Sequence, residues 1–207
     1  MKTLAVNAQF ESILERCRRV EGPDGDGSHH VDRVGGLAYH MALALGMDPQ
    51  LALELGLSAK AHDIGKTVVD PDILGKSGRL TPEEFESVKK HTVLGAAIIS
   101  SKDKNPIFDL AREIALSHHE RWDGSGYPQG LKGKKIPLAA RIVAVADSLD
   151  VMTHRRPYKV SWPADVAIEN LVADSGKQFD PEIIWVIAAR PHEFLQRINV
   201  GRRSFQR

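Results

Sequence analysis

The sequence predicts an all-α protein, and three observations carry that expectation. Apolar residues recur three or four apart in segment after segment, no run sustains two-residue alternation, and Asp-Pro, Thr-Pro or Asn-Pro pairs stand where helices would begin. At 207 residues the chain is long enough for one domain with a full core and short for two. Hydrophobic residues at 42% and charged residues at 27% fit a soluble globular protein. No apolar run approaches the roughly 20 residues that span a bilayer, so a membrane protein is not expected. The amino terminus is polar and amphipathic, unlike a secretion signal, and a cytoplasmic location is expected. Cys17 is the single cysteine, which excludes an intrachain disulfide. A net charge of +1 offers no global attraction to a nucleic-acid polymer, so any phosphate recognition must come from a local cluster.

Over residues 4–20 the positions Leu4, Val6, Phe10, Ile13, Leu14, Cys17 and Val20 make the apolar stripe of an accessory helix packed on the core. Residues 22–28 are too rich in Gly, Pro and Asp to be regular, so 1–27 reads as accessory helix plus glycine-rich loop. A second helix is expected over 28–45 through Val31, Val34, Leu37 and Met41, stopped by Gly46. Asp48-Pro49 is an N-cap with a first-turn proline, opening a third helix that carries Leu51, Leu53, Leu55, Leu57 and then His62-Asp63. Beyond Gly65 the chain reads as irregular through Pro71, Gly75 and Gly78. Thr81-Pro82-Glu83-Glu84 has capping-box spacing and starts a fourth helix with His91 inside it. Asn105-Pro106 starts a fifth that arrives at His118-His119. The glycine-rich loop that follows, to Pro137, is long for a compact domain, and such loops tend to carry function. A sixth helix over 138–153 carries Asp147, and helices over 163–173 and 181–198 close the main domain at 28–199, ahead of a basic tail at 200–207.

Burying a polar side chain costs free energy unless something satisfies it. His30, His62, Asp63, His91, His118, His119 and Asp147 stand at helix ends or on apolar faces of five separate helices, and their imidazole and carboxylate groups suit iron, manganese or zinc. Adjacent helical residues diverge by about 100°. The His62-Asp63 and His118-His119 doublets therefore do not aim both members at one ion unless the helix ends there, whereas an aspartate can bridge two ions. Two ions roughly 3.5–4 Å apart are the usual arrangement for hydrolysing a phosphate ester, because they stabilise attacking and leaving oxygens together. A phosphodiesterase site is the expectation. His29, His40, His154 and His192 fall outside the pattern and read as surface or packing residues, and Glu21 and Asp24 as loop solvation.

His62-Asp63-Ile64-Gly65-Lys66, His91, the run from His118-His119-Glu120 to Gly126-Tyr127-Pro128, then Asp147 and Arg155-Arg156-Pro157-Tyr158-Lys159 resemble the HD-GYP family of HD-domain phosphohydrolases, over about residues 28–190. The resemblance implies an all-α HD core with additional helices and metal-dependent hydrolysis of cyclic di-GMP, to the linear dinucleotide or on to GMP. It implies iron or manganese held by His30, His62, Asp63, His91, His118, His119 and Asp147. Asp63 and Lys66 would be catalytic, with Lys66, Arg156 and Lys159 at the substrate phosphates and Tyr127 at the substrate or, through the Gly126-Tyr127-Pro128 loop, at a regulatory protein. Relatives join such a domain to a sensory domain; here only the helix over 4–20 precedes it, so the input signal is expected to be missing or on another chain. Some relatives hold a third ion with a glutamate four residues before the first histidine. Asp26 stands there, one methylene shorter and between two glycines, so two ions are expected with the third weak or absent. Two rival readings remain: a hydrolase of another cyclic dinucleotide or nucleotide, and a non-catalytic module that binds a signalling partner.

Overall fold

The computed structural model describes residues 8–21, 27–99, 105–154 and 161–194, and its regular structure among these is helical apart from one isolated bridge between Ser175 and Phe179. The α-helices are α1 (Ala8–Val20), α2 (Gly27–Ala44), α3 (Pro49–Ala59), α4 (Pro71–Leu74), α5 (Pro82–Lys89), α6 (His91–Ile98), α7 (Pro106–Ser117), α8 (Leu138–Thr153), α9 (Ala164–Ala173) and α10 (Pro181–Ala189). Short 3-10 turns occupy Ile64–Val68 and Gly133–Lys135.

Two apolar clusters hold these helices. The larger joins one face of α2 and α3 (Val34, Met41, Leu55) to α8, α9 and α10 (Ile142, Leu149, Leu171, Ile183). The smaller docks α1, through Phe10, Ile13, Leu14 and Cys17, against Val31, Ile64, Ile107, Phe108 and Ala111. Because α2 and α7 contribute to both, His30 on α2 and His118 after α7 are fixed from two sides. Side-chain caps act where the sequence places them. Asp48 accepts from the backbone N–H groups of Gln50 and Leu51, and Thr81 and Glu84 make both halves of a capping box at 3.2 and 2.7 Å, each cap contributing about 1 kcal/mol. Gly46, at φ +83°, ends α2 with paired bonds from Gly46 N to Leu43 O and Met47 N to Ala42 O.

Four boundaries differ from expectation. The third helix stops at Ala59, before His62 and Asp63, and the chain tightens into three-residue turns, with Ile64 N bonded to Ala61 O and Lys66 N to Asp63 O. His91 is not inside the fourth helix but opens a new one: its Nδ1 takes the carbonyl of Val88, and Thr92 Oγ1 takes that of Lys89. The stretch after Gly65 contains the 3-10 turn and α4, which Asp70 caps. The last helix is broken at Arg190, whose ψ is 49°, because Pro191 has no N–H to give and disfavours helical geometry before it, and helical residues resume over 191–194. Leu4, Val6 and residues 195–198 lie outside the described residues.

Candidate metal centre

Three helices end in the same device. His62, His91 and His118 each follow the last turn of a helix and turn Nδ1 back onto a carbonyl of that turn: Ala59 at 2.9 Å, Val88 at 2.7 Å, and Ile114 and Ala115 at 3.1 and 3.2 Å. A carbonyl can only accept, so Nδ1 carries a proton, and whenever the ring is neutral its Nε2 is the bare nitrogen. All three Nε2 atoms are buried with no hydrogen-bond partner, and so are His30 Nε2 and Asp63 Oδ1. His30 is oriented differently, by the Asp150 carboxylate 2.7 Å from its Nδ1.

Asp63 stands between two groups of donors. Its Oδ1 lies 3.2 Å from His91 Nε2 and 3.6 Å from His118 Nε2, while Oδ2 lies 3.2 Å from His62 Nε2. The ligand atoms of Asp63, His91, His118 and His119 lie within 4.8 Å of one another, and so do those of His30, His62 and Asp147. The seven residues singled out in the sequence are thus brought together as two adjoining sets. The doublets work because α3 and α7 end before them, which frees successive side chains from the helical divergence.

The electrostatics fit cations. Burial opposes a charge on His62, yet Asp63, Asp147 and Glu21 outweigh it and push its pKa up to about 9. Burial likewise opposes ionisation of Asp63, but Lys66 and His62 hold its carboxyl well below the usual carboxylate range. Burial lowers His118, and burial with the neighbouring His118 lowers His119 further, so these rings are neutral donors. Five orphaned lone-pair atoms converging around a buried carboxylate are a poor protein interior and a suitable nitrogen and oxygen shell for divalent metal ions.

Some functional positions escaped the sequence reading. Glu21 does not solvate a loop; its side chain is 2% exposed, Oε1 accepts from Lys66 Nζ at 2.8 Å, and Oε2 lies 4.0 Å from His30 Nε2. With His30 and Asp63 it makes a third group of possible metal donors. The Lys66 ammonium lies between Glu21 and Asp63, 2.6 Å from Asp63 Oδ2, and these two carboxylates keep it charged despite burial. Asp150 anchors Arg33 and His154 as well as His30, and although burial opposes its charge, these three partners keep its carboxyl ionised. Asp147 and Asp150 sit three apart on α8, the spacing that faces two carboxylates the same way and the signal that could have found the second. Asp26, Arg156 and Lys159 lie outside the described residues.

The loop after His119 is held from below. Glu120 is buried and accepts from Gln129 N at 2.7 Å and Leu131 N at 3.0 Å, while Trp122 N and Asp123 N bond to the carbonyls of Gln178 and Lys177. Gly126 is packed so closely that a Cβ there would lie 2.3 Å from Arg121 N, which is why the loop needs glycine at that place. Tyr127 then lays its ring on His119, centroids 4.9 Å apart at 26°. The result is a cleft of about 400 Å³ whose lining includes His118, His119 and Asp147 as well as Phe85, Lys89 and Tyr127.

Residues 12–183 match the HD domain family. A cyclic di-GMP phosphodiesterase of Thermotoga maritima is 48% identical over 161 residues, covering 78% of this chain and 44% of that protein. A 3'3'-cGAMP-specific phosphodiesterase of Vibrio cholerae is 33% identical over 185 residues, covering 89% of this chain and 35% of that protein. The chain therefore spans less than half the length of these two relatives. Among solved structures, an HD-GYP-type protein of Bdellovibrio bacteriovorus superposes with a TM-score of 0.63 at 24% identity, over 86% of this chain and 60% of that one, a likeness of fold. With its histidine and aspartate cluster in place beneath a Gly126-Tyr127-Pro128 loop, the chain belongs to the HD domain family.

Proposed function

We propose that this chain is a metal-dependent phosphodiesterase that opens cyclic di-GMP to the linear dinucleotide. The observation that carries this reading is the set of buried, unpartnered Nε2 atoms of His30, His62, His91 and His118 disposed about Asp63, next to a cleft that His118, His119 and Asp147 line. Asp63, His91, His118 and His119 would hold one ion, and His30, His62 and Asp147 the second, with Asp63 shared. Iron or manganese suits this mixture of imidazole and carboxylate. Ions held there supply Lewis-acid activation of water and of the phosphate oxygens.

The chain's own groups do the rest. The carbonyl-bonded Nδ1 atoms keep three rings in register with the ions. Lys66, fixed in its charged form, offers a compact cation to a nonbridging phosphate oxygen. Arg156 and Lys159 are assigned to phosphate on the resemblance alone. Tyr127 faces the cleft, which favours contact with substrate, while the exposed residues Pro128, Gln129 and Gly130 leave the loop tip for a regulatory protein.

Lys66 favours two ions over three. Its ammonium lies where Glu21 and Asp63 would otherwise share a third cation, so two ions per chain are the expectation and the linear dinucleotide accumulates ahead of GMP. Anaerobic purification, metal analysis and product analysis on one preparation test this. Two equivalents of metal with early linear product support the reading; full metal without turnover of any cyclic dinucleotide sinks it. A second reading, hydrolysis of 3'3'-cGAMP, is favoured by the 33% identical relative and by a ligand set that reads phosphate and not base. Parallel assays on cyclic di-GMP, 3'3'-cGAMP and cyclic di-AMP separate the two.

A further inference from the structure

The cleft has a rim that the metal centre does not use. Phe85, on α5, leaves 47% of its surface exposed beside the cleft, its ring 6.3 Å from that of Tyr127 at 81°. Lys89, one turn on, places Nζ 5.2 Å from the Phe85 centroid and 5.6 Å from that of Tyr127. Its ion pair with Glu86 spans 2.5 Å, but that carboxylate is 66% exposed, and such surface pairs hold a lysine weakly. A lysine resting on a phenylalanine four residues earlier is ordinary helix-surface packing. That packing does not account for Tyr127, which arrives from a different element and faces the same ammonium. Aromatic rings thus step from floor to rim, His119 to Tyr127 to Phe85, with one cation over the outer two.

We propose that Phe85, Lys89 and Tyr127 form a second nucleotide subsite that holds the distal half of a dinucleotide while its scissile phosphate lies at the histidine cluster. This rests on the reading of the chain as a cyclic-dinucleotide phosphodiesterase. The exposed Phe85 ring and the half-buried Tyr127 ring offer a stacking platform to a nucleobase, and Lys89 offers a point charge to the non-scissile phosphate. Every base has a stackable face, so the subsite selects dinucleotides over shorter esters without choosing between guanine and adenine.

The test uses the manganese-loaded full chain and compares cyclic di-GMP with bis(p-nitrophenyl) phosphate, a diester with no second nucleotide. Lys89→Met and Phe85→Ala are each expected to lower the ratio of kcat/KM for the dinucleotide to that for the small diester about tenfold, mainly through KM. Lys89→Arg and Phe85→Tyr recover most of the loss. A parallel fall on both substrates, or a ratio within about twofold of the parent, overturns the subsite. Titration of methylanthraniloyl-labelled cyclic di-GMP separates subsite from reaction. Binding by the parent that weakens in Lys89→Met upholds the subsite even where no product forms, an outcome that sinks the proposed reaction alone. Binding that neither substitution alters overturns the subsite, and a parent that does not bind overturns both.

Discussion

At the scale of single residues, the centre depends on carboxylates that face two ways. Asp63 reaches His91 and His118 with one oxygen and His62 and Lys66 with the other. Asp63→Asn keeps the shape and removes the charge, so turnover is expected to fall at least about a hundredfold and metal content to drop, with far-UV circular dichroism unchanged. A variant with normal metal and more than a few per cent activity removes Asp63 from the bridging position. Asp150→Asn acts one step out. It leaves the Arg33 guanidinium, whose side chain is 14% exposed, without its carboxylate partner and weakens the anchor of His30. A stability loss of about 3 kcal/mol in urea denaturation is expected, with about 10–100-fold weaker binding of one ion in a competition titration. An equal loss of both ions would contradict the assignment of His30 to one set.

At the scale of elements, the centre is a matter of how closely a turn can approach a helix. Gly65 has ordinary backbone angles, and its glycine is required by contact: a Cβ would lie 1.9 Å from His91 O and 2.6 Å from Gly95 N. The 3-10 turn that starts directly after Asp63 therefore rests on the first turn of α6, which carries His91. Gly65→Ala must push the two apart, so a loss of about 3 kcal/mol is expected together with metal from the set that contains both residues. Thr81→Ala serves as the contrast, since it removes only a capping bond at the start of α5 and is expected to cost about 1 kcal/mol with metal content intact. Thermal unfolding paired with metal analysis reads both variants.

At the scale of the whole molecule, the two apolar clusters hold the helices independently of the donors, so stripping metal is expected to lower the melting midpoint while leaving helix content nearly intact. Free metal at a hundred times its dissociation constant adds about 2.7 kcal/mol to the fold. The pH dependence has a definite sign. In the metal-free protein the His62 imidazolium, with its pKa raised from 6.5 to about 9, stabilises the fold fully below pH 6.5, and this contribution is lost as pH rises through about 9. A metal requires the neutral ring, so its contribution grows over the same window. The gap in melting midpoint between manganese-loaded and chelated protein is therefore expected to widen from pH 6.5 to 9. A gap independent of pH would remove His62 from the ligand shell. Among the described residues no helix is long and apolar enough to cross a membrane.

The helical class, most helix starts and seven of the candidate donors were readable in the chain itself, because each rests on short-range rules. A cap such as Asp48-Pro49 or Thr81-Pro82 acts within one turn, an apolar stripe repeats every three or four residues, and His62-Asp63 or His118-His119 are neighbours in the chain. Helix ends were less readable. Where α3 stops and α6 begins depends on which carbonyls the His62 and His91 rings take, a contest between side chain and backbone that periodicity does not register. Glu21 and Asp150 were hidden for another reason. Glu21 follows the last turn of α1 and meets His30, Asp63 and Lys66 only because Phe10, Ile13 and Leu14 dock that helix on the core; Asp150 meets Arg33 across 117 positions because α2 packs on α8. The sequence by itself determined which atoms could bind metal. Which of them lack any other partner was decided by the tertiary structure, since burial and long-range packing settle whether a polar atom finds a hydrogen bond or is left facing an ion.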